Sequence, residues 1–497
     1  MQHASHIDSR GSQDIKYEHG DHLTGTLSPN SVESNVLAVH PDEGFDESEI
    51  KSIRRKIDWR LVPPLAALYA MSLIDRTNIS LAAQAGMSRQ LRLTIEDRYA
   101  HAVLAFFPPY IAFELLSNIG LRKVGARFWL PSAGVLWGIS MLGMGFVNNH
   151  QGLIALRALV GLFEAALFPG ATFLLGCWYL RRELAFRLTA FYQVGVFASG
   201  IAAILAYGFS LVRTGTIAGW RWIFIGEALI TIALAVPGYF LIVDFPSSHR
   251  CTFLNEREKE IVATRLQRDR ADAVPDSLTW GKLGKYVIDL KLWGYALCFG
   301  CTTLASYALS YFAPRIIASL GIATAVRDIY ALVIPPYVAA LPWGLLMAKI
   351  SDKTGSRLPI IMFNACLALL GCGLFAFLPA TKGAGRYVGL FICAAAANSN
   401  VPLISAASQS NIRRQSKRLY TSAIVVGFGG LGGIVSSLVF PERDAPLYRF
   451  GMIFVMGAQA LVFVISGMMA IYFMAANRAA ARGTRIIEDQ PGYRYQV

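Results

Sequence analysis

An all-α polytopic membrane fold, with twelve transmembrane helices in two pseudo-symmetric bundles of six, is predicted by three observations. The 497 residues are 54% hydrophobic and only 16% charged, and the mean hydropathy is +0.44. That is too apolar for a soluble domain of ordinary composition. Apolar runs of about 20 residues, each enough helix to cross a bilayer, recur in two groups of six. A five-residue pattern, K-x-G-x-R, occurs as KVGAR at 123–127 and again as KTGSR at 353–357, after the second span of each group.

The elements follow in order. Residues 1–55 are rich in Ser, His, Asp, Glu and Gly and have no sustained apolar run. This composition predicts a disordered cytosolic tail. No apolar segment lies near Met1, so no cleavable signal is expected and the first span serves as its own insertion signal. The first bundle occupies 56–245, with spans at roughly 60–83, 99–118, 129–147, 152–178, 188–212 and 220–244. Residues 246–287 contain NEREKEIVATRLQRDRADAVPD and read as a charged, partly helical cytosolic linker. The second bundle occupies 288–477, with spans at roughly 288–312, 327–350, 358–379, 386–408, 419–440 and 450–475. Residues 478–497 form a cytosolic C-terminal tail.

Charge sets the orientation. With both termini inside, the short inner loops carry Arg122, Lys123 and Arg127; Arg181, Arg182 and Arg187; Lys349, Lys353 and Arg357; and Arg413, Arg414, Lys417 and Arg418. The outer loops VNNHQG and PERDAP are poor in Lys and Arg, whereas GMSRQLRLTIEDR is an exception. The balance follows the positive-inside rule. It also accounts for the net charge of +14 without a nucleic-acid partner, leaving the lipid bilayer as the surrounding partner. Seven cysteines, most within apolar runs, suggest no disulfide framework. Cys298-Phe-Gly-Cys301 has CxxC spacing, but its place in a span favours packing. GFGGLG at 427–432 fits G-x-G-x-x-G, yet it follows no strand, so a close helix contact is expected rather than a nucleotide site. No metal, nucleophile or cofactor constellation is present in the sequence, so neither an enzyme nor a bound cofactor is expected.

Several stretches resemble one family: RKIDWRLVPPLAALYAMSLIDRTNIS (55–80), LSNIGLRKVGARFW (116–129), RALVGLFEAALFPGATFLLGCWYLRRE (157–183), GWRWIFIGEALIT (219–231) and KISDKTGSR (349–357). Over about residues 50–475 the chain resembles the major facilitator superfamily. Within it, it is similar to the anion:cation symporters and their fungal allantoate-permease branch. The resemblance implies proton-coupled uptake of small organic acids by alternating access at the plasma membrane. Substrates of that branch include nicotinate, pantothenate, biotin, allantoate and small peptides. A monomer is expected. Export of a metabolite is an alternative reading. A nutrient sensor without transport is another, made less favourable by the short linker and tail.

Charges within spans mark candidate sites, because a charge at bilayer depth costs about 2.5–3.5 kcal/mol on insertion scales. Arg157 and Glu164 are seven residues apart, nearly two turns, so they share a face. They stand roughly 10.5 Å apart along the axis, too far for an easy pair. Asp75-Arg76-Thr77-Asn78 interrupts the first span. Counting rise per residue puts Asp75 about 22 Å from the inner edge and Arg157 about 8 Å from the outer edge. In a core of ~30 Å these depths coincide, so Asp75 and Arg157 can meet. The resemblance implies that Arg157 binds the substrate carboxylate and that Asp75 and Glu164 carry the proton. A guanidinium keeps its charge and suits an anion clamp. Arg76 adds positive potential or holds a neighbouring acid, and a static network of Asp75, Arg76 and Glu164 is the structural alternative.

Tyr110 is expected near the level of Glu164, with Gln193, Asn78, Tyr307 and Tyr337 as further substrate contacts, and Asn398 and Asn400 as polar candidates. Asn78-Ile79-Ser80 is also a sequon, but one buried in a span. The loop residues Lys123, Gly125 and Arg127 of the first copy, and Asp352, Gly355 and Arg357 of the second, are gating candidates. The first copy lacks the acid, since Arg122 holds the place of Asp352. Glu114 has no assigned role. The chain departs from the family in SAASQSNIRRQSKR (405–418), where Asn411, Lys417 and Arg418 match but a Trp, a Gly and a Thr do not. It departs again at Leu116 and at Pro108-Pro109. These changes bear on specificity more than on fold.

Overall fold

Inside a membrane, backbone groups find no water, so a single span satisfies them only as a helix. The computed structural model describes residues 40–497 except 94, 96–97, 213–216, 249–250, 271–279, 321, 323–325, 380 and 440–447. The outer loop PERDAP and the first 39 residues lie outside the described residues. The first bundle contains α1 (Glu47–Ala82), α2 (Arg98–Val124), α3 (Ala126–Met144), α4 (His150–Trp178), α5 (Leu184–Ser210) and α6 (Gly219–Leu241). The linker holds α7 (Glu256–Arg270) and α8 (Trp280–Val287). The second bundle contains α9 (Leu290–Ser319), α10 (Val326–Thr354), α11 (Leu358–Phe377), α12 (Gly383–Ser410), α13 (Gln415–Val439) and α14 (Arg449–Ala481).

Among the described residues, ten of these helices are long and apolar enough to span a bilayer. The other two expected spans fall on α1 and α3. Helix α1 carries Asp75 and Arg76 in its buried face. It also starts earlier than the sequence suggests: the tail was expected to run to residue 55, but helix begins at Glu47. Asp46 caps it by accepting from the Ser48 backbone at 3.4 Å, and Glu47 and Glu49 suit the positive end of the helix dipole. The charged first turns masked this start.

The two bundles pair with two-fold logic. Helix α5, the fifth of the first bundle, packs along α10, the second of the other; α2 packs along α13 in the reciprocal way. Glycines make the second contact close. A Cβ on Gly430 would lie 2.7 Å from Ile111, and one on Gly433 would strike the Phe107 ring. Gly429 and Gly432 of the same run face Phe299 and the Gly300 carbonyl on α9. GFGGLG is therefore a wedge between two helices, as its place in an apolar span predicts. The seven cysteines are free.

The repeated loops lie on one face of the molecule, together with α7; this is called the linker face below. Gly125 turns the first loop with φ of 97° and ψ of 148°, a region open almost only to glycine. The turn presents the Ala126 N–H to Asp244 at 3.0 Å. Asp244 also accepts from Phe245 N and Ser248 Oγ, each at 3.0 Å. Arg127 donates to the Tyr239 carbonyl at the end of α6, at 2.7 Å.

Candidate functional site

The polar centre is built where α1 and α4 bring charge between the bundles. Gly161 lies between Arg157 and Glu164 on α4. Having no side chain, it lets the Phe106 carbonyl of α2 press against the helix. The charged residues thereby meet an aromatic cluster. Arg76 ion-pairs with Glu164 at 2.6 Å, and both side chains are almost fully buried. Its Nε donates to the same carboxylate at 2.7 Å, and Ser72 donates to it at 2.6 Å. The rest of the guanidinium reaches the hydroxyl of Tyr307, across the bundle interface, and that of Tyr110 at 3.4 Å. Its carbon stands 5.3 Å from the Phe106 ring centre, 5.2 Å from that of Tyr110 and 5.7 Å from that of Tyr307.

Asp75 faces away from this pair. Its Oδ2 accepts from Trp137 Nε1 at 3.0 Å and from Thr231 Oγ1 at 3.4 Å, groups on α3 and α6. Arg157 comes close, as the depths predicted, but it donates to the Asp75 backbone carbonyl at 3.4 Å rather than to the carboxylate. It also stands 5.7 Å from the Phe106 ring centre. Among the described residues, Arg157 Nε, Asp75 Oδ1 and Glu164 Oε2 have no hydrogen-bond partner, and no carboxylate lies within ion-pair distance of Arg157.

A cavity lies between the bundles beside this centre. It offers water centres about 40 Å³, room for a few waters. Arg76, Tyr110, Tyr307, Tyr337 and Asn398 are in its wall, with Tyr69, Tyr192 and Tyr311. Arg157, Glu164, Asn78 and Gln193 are not in that wall. Gln193 instead donates across the interface to the Asn398 carbonyl at 3.3 Å and packs on Gly344. Its neighbour Tyr192 takes the cavity position and bonds the Asn398 side chain at 3.3 Å. Asn400 turns to Asn364, at 3.1 Å. Two further buried carboxyls lie near the centre: Glu114 on α2, beside Tyr110, and Glu227 on α6, beside Asn78. Glu227 has no sequence-based assignment, although a lone acid in the apolar stretch GWRWIFIGEALIT is the same kind of signal as Glu164.

On the linker face the bundles are tied together. Asp352 on α10 accepts from the backbone N–H groups of Ala185 at 3.2 Å and Phe186 at 2.8 Å. It thus caps the first turn of α5 in the other bundle, where the helix dipole favours an anion. Arg418 donates to the Gly176 carbonyl at 2.8 Å, Ser422 to that of Pro169 at 2.8 Å, and Asn118 to that of Leu419 at 3.2 Å. Arg357 reaches Asp352 at 3.4 Å and also the Arg181 carbonyl. This face is closed. Gly355 turns its loop at φ of 68°, and Lys123 is exposed.

Comparison with known proteins places this architecture. The family model described as Major Facilitator Superfamily matches residues 65–437. A Penicillium expansum protein named MFS-type transporter cnsO is 28% identical, over 95% of this chain and 93% of its own. The high-affinity nicotinic acid transporter of Saccharomyces cerevisiae is 27% identical, over 85% of this chain and 78% of its own. Among solved structures, the proton:xylose symporter XylE superimposes with a TM-score of 0.66 at 17% identity, covering 86% of this chain and 96% of that one. The human organic anion transporter MFSD10 gives a TM-score of 0.58 at 12% identity, covering 83% and 99%.

Proposed function

This chain belongs to the major facilitator superfamily, and we propose that it is a proton-coupled symporter of a small organic anion working by alternating access. That it is a multi-pass membrane transporter follows from the family and its apolar helices. The proposal concerns what it carries and how. We place the linker face in the cytosol, with both termini, on the loop charges, and the protein in the plasma membrane on its resemblance to the allantoate-permease branch.

One observation carries the reading: Arg157 is a buried guanidinium with no carboxylate partner among the described residues, set over the Phe106 ring that also faces the cavity residue Arg76. Burying an unpaired cation is costly, and a substrate carboxylate relieves that cost. Arg76 cannot serve so freely, because Glu164 already neutralises it. Asp75 sits one hydrogen bond away, through its backbone carbonyl. A proton on Asp75 removes a negative charge beside Arg157, so proton and anion entering together change the buried charge less than either alone. That is a coupling free energy, and it is reciprocal. Glu164 adds a second exchangeable site, since a proton on it would free Arg76. The tyrosine-rich wall suits a planar ring stacked on aromatic faces. The yeast relative is named for nicotinic acid, an aromatic monocarboxylate.

Uptake into proteoliposomes tests this, with nicotinate and other small carboxylates at an imposed inward proton gradient. Accumulation that collapses with the gradient is expected for at least one of them. Arg157→Ala should lose it by about 10–100-fold, the worth of one charge-assisted contact. No carboxylate response, or an unchanged Arg157→Ala, refutes the anion assignment. Outward flux under the same gradient makes the protein an exporter.

A further inference from the structure

The last residues do not behave as a solvated tail. After α14 the chain turns at Gly483, with φ of 73°, and runs back across the linker face. Ile487, Gln490 and Tyr493 are buried, with at most 2% of each surface exposed. Two reciprocal clamps hold the backbone. Asn477 exchanges bonds with the Tyr495 backbone, both at 2.9 Å. Asn411 donates to the Gln496 carbonyl at 2.8 Å and accepts from the Gln496 N–H at 2.7 Å. Glu488 sits between Lys291 of α9 and Lys417 of α13, the latter at 3.1 Å. Tyr493 donates to the Ser410 carbonyl at 3.0 Å.

All those partners belong to the second bundle, but the tail also crosses to the first. Arg181, in the loop between α4 and α5, donates to the Arg494 carbonyl at 2.9 Å and lies 4.8 Å above the Tyr493 ring. Arg181 is anchored on its own side by Asp269 of the linker helix α7, at 3.2 Å. Arg357 completes the bridge: its Nε donates to Gln496 at 3.0 Å while its Nη2 holds the Arg181 carbonyl. Opening this face must therefore separate Arg181 from Tyr493 and Arg494.

We propose that residues 484–497 are a latch that holds the cytosolic gate shut. The tail is docked on one bundle and grips the other through Arg181, so it stabilises the closed arrangement alone. Removing it shifts the population toward an inward-open state, because a contact present in one state acts on the equilibrium by its differential energy. Its cytosolic sidedness rests on the orientation proposed above.

Accessibility of a cysteine at Ser422 tests the latch. Ser422 seals α13 against the Pro169 carbonyl and none of its hydrogen bonds involves the tail. The protein with Ser422→Cys, in proteoliposomes, is treated with a membrane-impermeant maleimide added to either side. The same protein without the new cysteine gives the background of the native thiols. Deleting 484–497 should speed labelling from the cytosolic side at least tenfold, and Tyr493→Ala severalfold. A tail that merely supports the fold would lower the melting temperature and leave the labelling rate unchanged, and unchanged rates overturn the latch. If the truncated chain does not fold, Tyr493→Ala decides alone by the same criterion. Acceleration only from the opposite side supports the latch and overturns the orientation.

Discussion

Alanine at Gly125 should damage this protein more than alanine at Gly355, although both glycines hold the same place in the repeated loop. At Gly125, φ is 97° and ψ is 148°. A non-glycine residue there costs about 1–3 kcal/mol in backbone strain. The added methyl would also lie 2.7 Å from the Asp244 carboxylate, which caps Ala126 at 3.0 Å. Displacing that cap adds about 1 kcal/mol, the usual worth of one hydrogen bond, for a total of about 2–4 kcal/mol. At Gly355, φ is 68° and a methyl meets nothing within 4 Å. The left-handed conformation alone costs roughly 1–2 kcal/mol. Thermal unfolding in detergent, followed by tryptophan fluorescence, compares the two variants. At roughly 2–4 °C per kcal/mol, Gly125→Ala should melt several degrees below Gly355→Ala. Equal shifts would refute the account of Asp244 as the obstructed neighbour.

Other outcomes follow from the same geometry. Asp352→Ala removes the carboxylate that accepts from two backbone N–H groups in the first turn of α5 and should weaken the closed linker face by about 2–4 kcal/mol, read as faster maleimide labelling of Ser422→Cys. Glu164→Gln keeps a hydrogen-bond acceptor for Ser72 but fixes the side chain neutral; exchange of substrate should persist while accumulation against a gradient is lost, and retained accumulation would remove Glu164 from proton coupling. Burial pushes the Glu488 carboxyl up, but Lys291 and Lys417 outweigh it and hold it below the ordinary glutamate value. Its contribution to tail docking is therefore complete above the unfolded value of about 4.3 and is lost as pH falls through the lowered one. The surrounding groups, Asp289 between the same lysines and Tyr495 on Lys291, leave that sign unchanged, since the Asp289 carboxyl is likewise held low by the lysines against its burial. Hydrogen exchange of 484–497 should be protected equally at pH 8 and pH 5.5 and weaken only below about pH 4.

Depth was legible in the sequence, and direction was not. Rise per residue placed Asp75 and Arg157 at one level, and their backbone and side chain do meet. Yet Asp75 and Arg76 are consecutive, about 100° apart around the helix, so only one of them faces the cavity. Arg76 took that position and Asp75 turned to Trp137 and Thr231. The same one-residue step separates Tyr192, in the cavity wall, from Gln193, which ties the bundles. Azimuth depends on which neighbour packs where, and apolar spans that are hydrophobic all round give little periodic signal to fix it. The contact between the bundles on the linker face was partly legible through KISDKTGSR. The latch was not, because a short polar segment has no periodicity and its partners, Asn411, Lys417 and Arg181, are scattered over two loops and a helix.

The repeated arginines carry different mechanical loads. Arg127 holds the carbonyl of Tyr239, at the end of the sixth helix of its own bundle. Arg357, its counterpart, holds Gln496, beyond the sixth helix of the other. In the first copy the gripped chain continues into the linker, and the grip stays inside one bundle. In the second the gripped segment also meets Arg181, and Arg357 itself reaches the Arg181 carbonyl. One repeated position thus fastens a bundle to itself in the first copy and a bundle to its sister in the second.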